Sequence, residues 1–274
     1  MPELPEVETI VRDIRPRLVG RRIVDAALSH SDVLRGVSRR RLLATLRGAV
    51  VREVTRRAKH AILRFDRYRL VVQPGMTGAL LVHRRPLRPD EGRYAVLRAR
   101  LDNRAVLVYR DIRRLGTLLL LDDREWAEYD ASLGPEPLDP AFDAARFRAA
   151  LSRTRQAVKK ALMDQRLLAG VGNIYANEAL FEAGIDPSRP AHSLAEAELA
   201  RLYHAVRRIL AAAIESEGTT FRDYVTGTGQ PGNFQLALQV YDRAGEPCRR
   251  CGARLAATHA IDQRITVFCY RCQR

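Results

Sequence analysis

The chain begins with residues that could carry out amine chemistry on a sugar. Processing commonly removes Met1 before a small residue, and this would leave Pro2 with a secondary α-amine. The pKa of an α-amine is about 7.7–8.0, below that of Lys, so more of it is neutral and nucleophilic at pH 7. Its attack on a sugar C1′ would give a cationic iminium, which opens a route to strand cleavage by elimination. Glu3 could move protons there. The alternative is that these residues only begin a helix and have no catalytic role.

The four cysteines form a pattern that is typical of a metal site. They lie in two Cys-x-x-Cys pairs separated by 17 residues, at Cys248, Cys251, Cys269 and Cys272. Two such pairs supply the four thiolates of tetrahedral zinc. Since protein fills every ligand position, we expect one structural Zn²⁺ that holds a small β-hairpin. Disulfides and a redox pair are the alternatives. Disulfides are disfavoured because a chain without a signal peptide is expected in the cytosol, where thiols stay reduced.

Lysine is scarce in this strongly basic chain. Only Lys59, Lys159 and Lys160 are lysines among 47 basic residues, and the formal net charge is +15. Arg holds its proton firmly, so a position that stays Lys could serve where a proton must be exchanged, although chance retention explains any single one equally well. The charge indicates a polyanionic partner, most often nucleic acid, with an anionic membrane surface as the alternative.

A glycine turn could bind a phosphate. Gly170-Val-Gly-Asn173 runs into a helical pattern. An Asn cap after such a turn would expose backbone N–H groups at the positive end of the helix. An ordinary helix corner is the alternative.

Two further turns could act on a duplex. Arg113 and Arg114 could read a base edge and a phosphate. Met76 and Leu115 could be apolar wedges that fill the gap left when a base leaves the duplex. The alternatives are a solvated arginine turn and a core methionine.

The apolar periodicity predicts an α+β protein. A stripe at i, i+3, i+4 and i+7 predicts a helix over residues 5–15, which Pro16 closes. Residues 22–126 alternate Val-, Leu-, Ile- and Tyr-rich stretches with turn residues, as an antiparallel β-sandwich does. The stretches that predict strands are 49–54, 61–65, 69–73, 94–101, 105–109 and 118–121.

Composition shifts predict the domain boundaries. The Pro-rich segment 134–141 is a linker, and the pattern is helical from 142 to about 217. A capping box from Ser193 to Glu196 opens a long helix, and residues 226–233 form a glycine-rich loop. We expect an N-terminal β-sandwich domain over 1–133, a helical domain over 142–247, and a zinc finger over 248–274.

The composition excludes several classes of protein. With 46% hydrophobic residues the chain can bury a core, which excludes intrinsic disorder. No apolar run approaches the roughly 18 residues of a membrane span. The first residues lack the basic start and apolar stretch of a signal peptide. We therefore expect a cytoplasmic protein.

Taken together, these motifs resemble the bacterial formamidopyrimidine-DNA glycosylase family, also called 8-oxoguanine DNA glycosylase. The resemblance runs the whole chain and is carried by Met1–Glu8, Asp164-Gln165, Gly170–Glu178 and the terminal cysteine motif. It implies a β-sandwich with an N-terminal helix, a helix–two-turn–helix domain and a zinc finger. It also implies a monomeric, nucleoid-associated base-excision-repair enzyme that binds double-stranded DNA with oxidised bases or abasic sites. Such an enzyme excises oxidised purines and then cuts the strand by β,δ-elimination.

The resemblance also assigns catalytic roles by position. Pro2 matches the nucleophile that forms a Schiff base, and Glu3 the general acid/base that helps open the sugar ring. Glu6 is expected to order the site. Lys59 matches the proton donor of β-elimination, and Arg264 the finger arginine of δ-elimination, which we interpret mainly as a phosphate clamp.

The expected DNA contacts follow in the same way. Met76, Arg113 and Leu115 match the triad that fills the void after base flipping, with Arg113 facing the opposite cytosine. A loop over 219–233 would cover the flipped base. The remaining expected contacts are Tyr94, Arg114, Arg155, Lys159 and Asn173.

Two positions depart from the family pattern. Leu115 stands where the family usually has Phe, so the wedge stacks less, and Tyr94 stands where many members have His. Endonuclease VIII-like glycosylases, which act on oxidised pyrimidines, share the Pro2-Glu3 chemistry and remain an alternative. A zinc-finger protein that binds damaged DNA without catalysis is another.

Overall fold

A computed structural model describes residues 1–85, 87–220 and 224–274. The chain divides into two compact units. Unit one comprises 1–131 and 216–235, and unit two comprises 132–215 and 236–274. The domain boundaries expected from the sequence stay predictions.

Unit one is built from two antiparallel sheets and a buried helix. One sheet has the strand order β1-β6-β7-β5 and the other β2-β3-β4-β8. The strands are β1 (Ile23–Leu28), β2 (Glu53–Arg57), β3 (His60–Arg64), β4 (Tyr68–Gln73), β5 (Gly78–His83), β6 (Ala95–Leu101), β7 (Val106–Asp111) and β8 (Thr117–Asp122). The helices are α1 (Leu4–Leu18), α2 (Arg39–Leu46), α3 (Pro89–Gly92) and α4 (Asp123–Ala131).

The apolar stripe of α1 belongs to the core of unit one. Val7, Ile10, Val11 and Ile14 are fully buried in one cluster with inward-facing residues of both sheets. Burial of such side chains is the main favourable term in folding. The predicted β-sandwich with its N-terminal helix is confirmed.

Two local expectations for unit one are wrong. Helix α1 continues through Pro16 to Leu18, because Leu18 is buried and the Val19 N–H closes the last turn on the Arg15 carbonyl at 3.0 Å. The strand expected at 49–54 is Glu53–Arg57, since the N–H of Ile23 binds the carbonyl of Ala49 outside the regular ladder. Strands β1 and β5 were not expected.

Unit two contains the helical part of the chain. Its helices are α5 (Ala144–Leu151), α6 (Val158–Met163), α7 (Asn173–Ala183) and α8 (Glu196–Glu215), and its strands are β9 (Ala256–Thr258) and β10 (Thr266–Phe268). Helices α6 and α7 with their connecting turns are the expected helix–two-turn–helix element. Across the described residues, no helix has both the length and the apolarity to span a membrane.

The start of α8 differs from the expected capping box. The Ser193 hydroxyl donates to the Pro190 carbonyl at 2.8 Å, within a short 3₁₀ turn. The Glu198 carboxylate instead accepts from the Ala195 N–H at 2.8 Å. The capping partner therefore lies two residues beyond Glu196, because the 3₁₀ turn delays the helix.

Strands β9 and β10 form the expected C-terminal hairpin. Val267 and Cys269 share a small buried cluster with Phe181 of α7. The N–H of Val267 donates to Asn177 Oδ1 at 2.8 Å. Helix α7 therefore supports the hairpin through both an apolar and a polar contact.

Candidate active site and nucleic-acid interface

The N-terminus of α1 brings together three of the five expected catalytic residues. Pro2, Glu3 and Glu6 are all buried. The Glu3 N–H donates to Glu6 Oε2 at 2.8 Å, which holds the residue just before the helix. A carboxylate here also complements the positive end of the helix. The structure thus places the expected nucleophile, acid/base and ordering residue together at the N-terminus of α1.

Glu6 also holds a distant loop of unit one. Its Oε1 accepts the Thr219 N–H at 2.8 Å, and its backbone carbonyl accepts the Tyr224 hydroxyl at 3.2 Å. Gly218 has a φ of +81°, and a Cβ there would lie 3.0 Å from Glu6 Cγ. A side chain would therefore be both strained and crowded. Part of the loop expected to cover a flipped base, residues 221–223, lies outside the described residues.

Lys59 lies in the tight turn between β2 and β3. Arg57 pairs with His60 across the turn, and Ala58 has a φ of +52°, in the left-handed region. Lys59 itself is buried. Arg57 forms an ion pair with Asp130 of α4 at 2.5 Å. Helix α4 therefore supports the turn that carries the expected proton donor.

His60 is a polar neighbour that the sequence did not single out. Burial lowers the pKa of His60 to about 4, so its ring is neutral at pH 7. The Tyr129 hydroxyl lies 3.2 Å from its Nε2. A neutral ring places no second cation beside Lys59. The only signal in the sequence was a His directly after the singled-out lysine.

The expected wedge residues, Met76, Arg113 and Leu115, are exposed on two neighbouring loops of unit one. Met76 is 41% exposed and Leu115 is 54% exposed. Large apolar side chains held in solvent are suited to insertion between bases. The alternative that Met76 belongs to the core is therefore wrong.

Arg114 and Tyr94 lie near these loops with protein partners of their own. Arg114 forms an ion pair with Asp32 at 2.7 Å and lowers the pKa of that carboxyl. The Tyr94 ring is exposed and lies 5.2 Å below the Arg93 guanidinium. Both residues are exposed.

The glycine turn before α7 is organised by Gln165. Its Oε1 accepts the Gly170 N–H at 2.9 Å, and its Nε2 donates to the Val171 carbonyl at 2.9 Å. Gly172, and not Asn173, is the N-cap residue, so the expectation of an Asn cap is wrong. Asn173 is the first helical residue, and its amide donates to the Ile265 carbonyl at 3.1 Å.

Lys159 does not have the environment expected of a DNA contact. Its side chain is 0% exposed, and its Nζ donates to Thr266 Oγ1 at 2.7 Å and to the Ile265 carbonyl at 3.2 Å. Asp262 Oδ2 lies 3.5 Å from the same Nζ. In this structure Lys159 supports the segment before β10 and does not present its charge to a phosphate.

Arg264 lies on that supported segment. Its N–H donates to Asp262 Oδ1 at 2.7 Å, and its side chain is exposed. Arg264, Lys160 and Arg166 line one cavity of about 580 Å³ in unit two. Asp164 and Asp262 line the same cavity, and Arg166 pairs with Asp164 at 2.8 Å, so the lining carries charges of both signs. Arg155 is exposed in the same unit.

The four cysteines lie together as the sequence predicts. Their Sγ atoms are all within 4.8 Å of one another, and none of the four is in a disulfide. Cys248 and Cys272 are separated by 3.9 Å, and Cys251 and Cys269 by 3.5 Å, between their Sγ atoms. With Zn–S bonds of about 2.3 Å, the edge of a tetrahedron is about 3.8 Å, so the cluster could hold such a metal ion.

Glu178 of α7 has a supporting role that the sequence did not reveal. Its Oε1 accepts the N–H groups of Val240 and Tyr241 at 2.9 and 2.8 Å, and its Oε2 that of Gln239 at 2.8 Å. The pKa of Glu178 is raised, because the effect of burial exceeds the lowering effect of these hydrogen bonds. The available signal was a Glu with an apolar residue at each of the three positions that follow it in the helix.

Comparisons with known proteins agree with this arrangement. Residues 1–118 match the model of the formamidopyrimidine-DNA glycosylase N-terminal domain, and 133–225 match that of its H2TH domain. The formamidopyrimidine-DNA glycosylase of Methylococcus capsulatus is 44% identical over 275 residues, and the match covers 100% of both chains.

Two solved structures are also similar to this chain. One is a variant of the Lactococcus lactis enzyme in complex with a Fapy-dG containing DNA. It is 32% identical with a TM-score of 0.90, and the match covers 100% of both chains. The other is the Lactococcus lactis enzyme with an abasic site containing DNA, which is 31% identical with a TM-score of 0.89 and 99% coverage of both chains. The chain belongs to the formamidopyrimidine-DNA glycosylase family.

Proposed function

We propose that this DNA glycosylase excises oxidised purines, namely 8-oxoguanine and formamidopyrimidines, from double-stranded DNA and then cuts the strand as an AP lyase. The observation that carries the proposal is the position of Glu6, whose carboxylate binds both the N–H of Glu3 and the N–H of Thr219. One side chain thereby links the expected nucleophile to the loop expected to cover the damaged base. The complexes of the Lactococcus lactis relatives with Fapy-dG and abasic-site DNA support the substrate class.

Base excision begins at Pro2 after Met1 has been removed. The lone pair of the Pro2 nitrogen forms a bond to C1′, and the bond from C1′ to the purine N9 breaks, so the base leaves with that electron pair and gains a proton. The amine proton passes to Glu3, which returns it to O4′ as the sugar ring opens. The product is a cationic iminium between Pro2 and C1′.

Strand cleavage follows from that cation. Loss of the C2′ proton moves electrons toward the iminium and breaks the bond from C3′ to its phosphate oxygen, which is β-elimination. Lys59 is the proposed proton donor in this step. In the second elimination, loss of the C4′ proton supplies the electron pair that breaks the bond from C5′ to its phosphate oxygen, and Arg264 holds the departing phosphate. Water then hydrolyses the remaining Schiff base.

The other expected residues bind the duplex and support the finger. Met76, Arg113 and Leu115 fill the void of the flipped base, while Tyr94, Arg114, Arg155 and Asn173 contact the backbone. The four cysteines hold one structural Zn²⁺, which keeps the Arg264 segment in place. We further propose that the enzyme acts as a monomer in the bacterial cytoplasm, with the domain boundaries expected from the sequence.

Matched duplexes test this assignment. We expect faster excision from an 8-oxoguanine:cytosine duplex than from a thymine glycol duplex, and both β- and δ-elimination products. Preference for thymine glycol would place the chain with glycosylases for oxidised pyrimidines. Binding of abasic-site DNA without any cleavage would instead indicate a non-catalytic protein.

A further inference from the structure

We propose that Thr77 and Asp111 form a buried bridge that positions the wedge residues, and that this bridge determines the preference for the base opposite the lesion. Thr77 and Asp111 are positioning residues here, since they act through Met76, Arg113 and Leu115. The inference rests on the proposed function, because it assumes that these three residues enter the void left by the flipped base.

The strand pairing brings the two wedge loops together, namely residues 74–77 with Met76 and residues 112–116 with Arg113 and Leu115. Gly78, the first residue of β5, pairs with Asp111, the last residue of β7. The loops therefore leave adjacent antiparallel strands at the same end of one sheet.

Thr77 joins the two loops with a single hydroxyl group. Its Oγ1 donates to Asp111 Oδ1 at 2.5 Å and accepts the Arg113 N–H at 2.9 Å. Thr77 is only 6% exposed and Asp111 only 2% exposed. A buried hydrogen bond to a carboxylate is stronger than one between neutral groups, so the hydroxyl fixes the backbone of Arg113 relative to Met76.

The second carboxylate oxygen of Asp111 holds the far end of the same loop. Asp111 Oδ2 accepts the Gly116 N–H at 2.8 Å and the Tyr109 hydroxyl at 3.0 Å. Asp111 therefore binds the segment with Leu115 directly, and the segment with Arg113 through Thr77. Both wedge residues on this loop depend on one buried side chain.

The loops also approach each other too closely for side chains at two glycines. A Cβ on Gly75 would lie 2.5 Å from the Gly116 nitrogen, and a Cβ on Gly116 would lie 1.9 Å from the Tyr109 hydroxyl. Backbone thus contacts backbone beneath the exposed Met76 and Leu115. A rigid base of this kind suits side chains that must enter a duplex in one orientation.

The test replaces the hydroxyl of Thr77 and keeps the size of the side chain. Thr77→Val removes both hydrogen bonds, and Thr77→Ser keeps them. Thr117→Val is the matched control, since its Oγ1 donates to Gln73 Oε1 at 3.2 Å and does not join the two loops. If Thr77→Val does not fold, Asp111→Asn is the second test of the bridge, because it replaces one acceptor oxygen by an NH₂ donor.

The primary measurement is the ratio of single-turnover excision rates for 8-oxoguanine opposite cytosine and opposite adenine. We expect Thr77→Val to reduce this ratio by about tenfold, because Arg113 is then free to take several orientations. Thr77→Ser and Thr117→Val should keep the wild-type ratio. An unchanged ratio in Thr77→Val, or equal slowing opposite both bases, would overturn the proposal.

A second measurement separates this inference from the proposed function. The fluorescence of a 2-aminopurine next to the lesion reports opening of the duplex, and we expect a smaller change for Thr77→Val than for wild type. If the wild-type protein cleaves no 8-oxoguanine duplex, the proposed function fails. The wild-type protein could also cleave the duplex with no preference for the opposite base. In that case, a fluorescence change in Thr77→Val equal to that of wild type would overturn the proposed role of the bridge.

Discussion

The Thr219 N–H donates to Glu6 Oε1 at 2.8 Å, although the two residues lie 213 positions apart in the sequence. The other oxygen of the same carboxylate accepts the Glu3 N–H. Glu6 therefore has two acceptor atoms and two buried donors. The Glu6 side chain therefore holds both the loop that follows α8 and the N-terminus of α1.

Replacement of Glu6 by Gln tests this dependence. Gln keeps the size but replaces one acceptor oxygen by an NH₂ group, which leaves one of the two backbone N–H groups without its partner. We expect excision to slow by about tenfold to a hundredfold and the Thr219 amide to exchange faster with deuterium. Glu8→Gln is the control, because Glu8 is on the same helix but pairs with Arg12 and Arg56. Equal effects of the two substitutions would contradict the role of Glu6.

Substitution of Lys59 by Arg separates charge from proton exchange. Arg keeps the positive charge but holds its proton and has a different shape. We expect the rate of strand cleavage to fall about tenfold or more, while the Kd for undamaged DNA stays close to the wild-type value. Lys160→Arg is the matched control, because Lys160 is an exposed lysine of unit two. Wild-type cleavage by Lys59→Arg would show that Lys59 serves only as a cation.

The buried ring of His60 makes stability depend on pH. Burial lowers the pKa of His60 to about 4 in the folded chain, below the ordinary value of 6.5. As the pH falls from about 6.5 to about 4, the unfolded chain takes up a proton that the folded chain does not, so the free energy of unfolding decreases. The difference reaches about 3 kcal/mol at the acidic end and vanishes above pH 7.

Denaturant unfolding at several pH values measures this effect. His60→Gln should remove that part of the acid sensitivity, and His192→Gln, at an exposed position, should not. Identical pH dependence in wild type and His60→Gln would refute the assignment.

The cysteine cluster predicts a stabilising metal ion. We expect about one zinc per chain by elemental analysis, and a lower Tm after chelation or in Cys269→Ser, because four thiolates tie the hairpin together. His259→Gln, in the same hairpin region, should keep the metal. Full metal content in Cys269→Ser would exclude this thiol as a ligand.

Patterns that are local in sequence were predictable from it. The spacing of the two Cys-x-x-Cys pairs was enough to predict that the four cysteines lie together. The stripe of Val7, Ile10, Val11 and Ile14 likewise predicted the buried face of α1. The end of α1 was less predictable, because Leu18 holds the last turn through burial in a distant core.

Contacts between distant segments were not predictable. Lys159 binds Thr266, which is 107 residues away, and Thr77 binds Asp111, which is 34 residues away. No periodicity relates such pairs, since their proximity follows from strand pairing and helix packing. Motif matching therefore found Lys159 as a residue of interest but gave it a contact that its burial does not support.

Borohydride trapping on an 8-oxoguanine:cytosine duplex tests the central claim most directly. Borohydride reduces the iminium between Pro2 and C1′ to a stable amine, so protein without Met1 should form a covalent complex with the DNA. An N-terminally extended form, in which the Pro2 nitrogen is part of a peptide bond, should bind the duplex and form none. Equal yields of the covalent complex from the two forms, or no complex from either, would contradict the account.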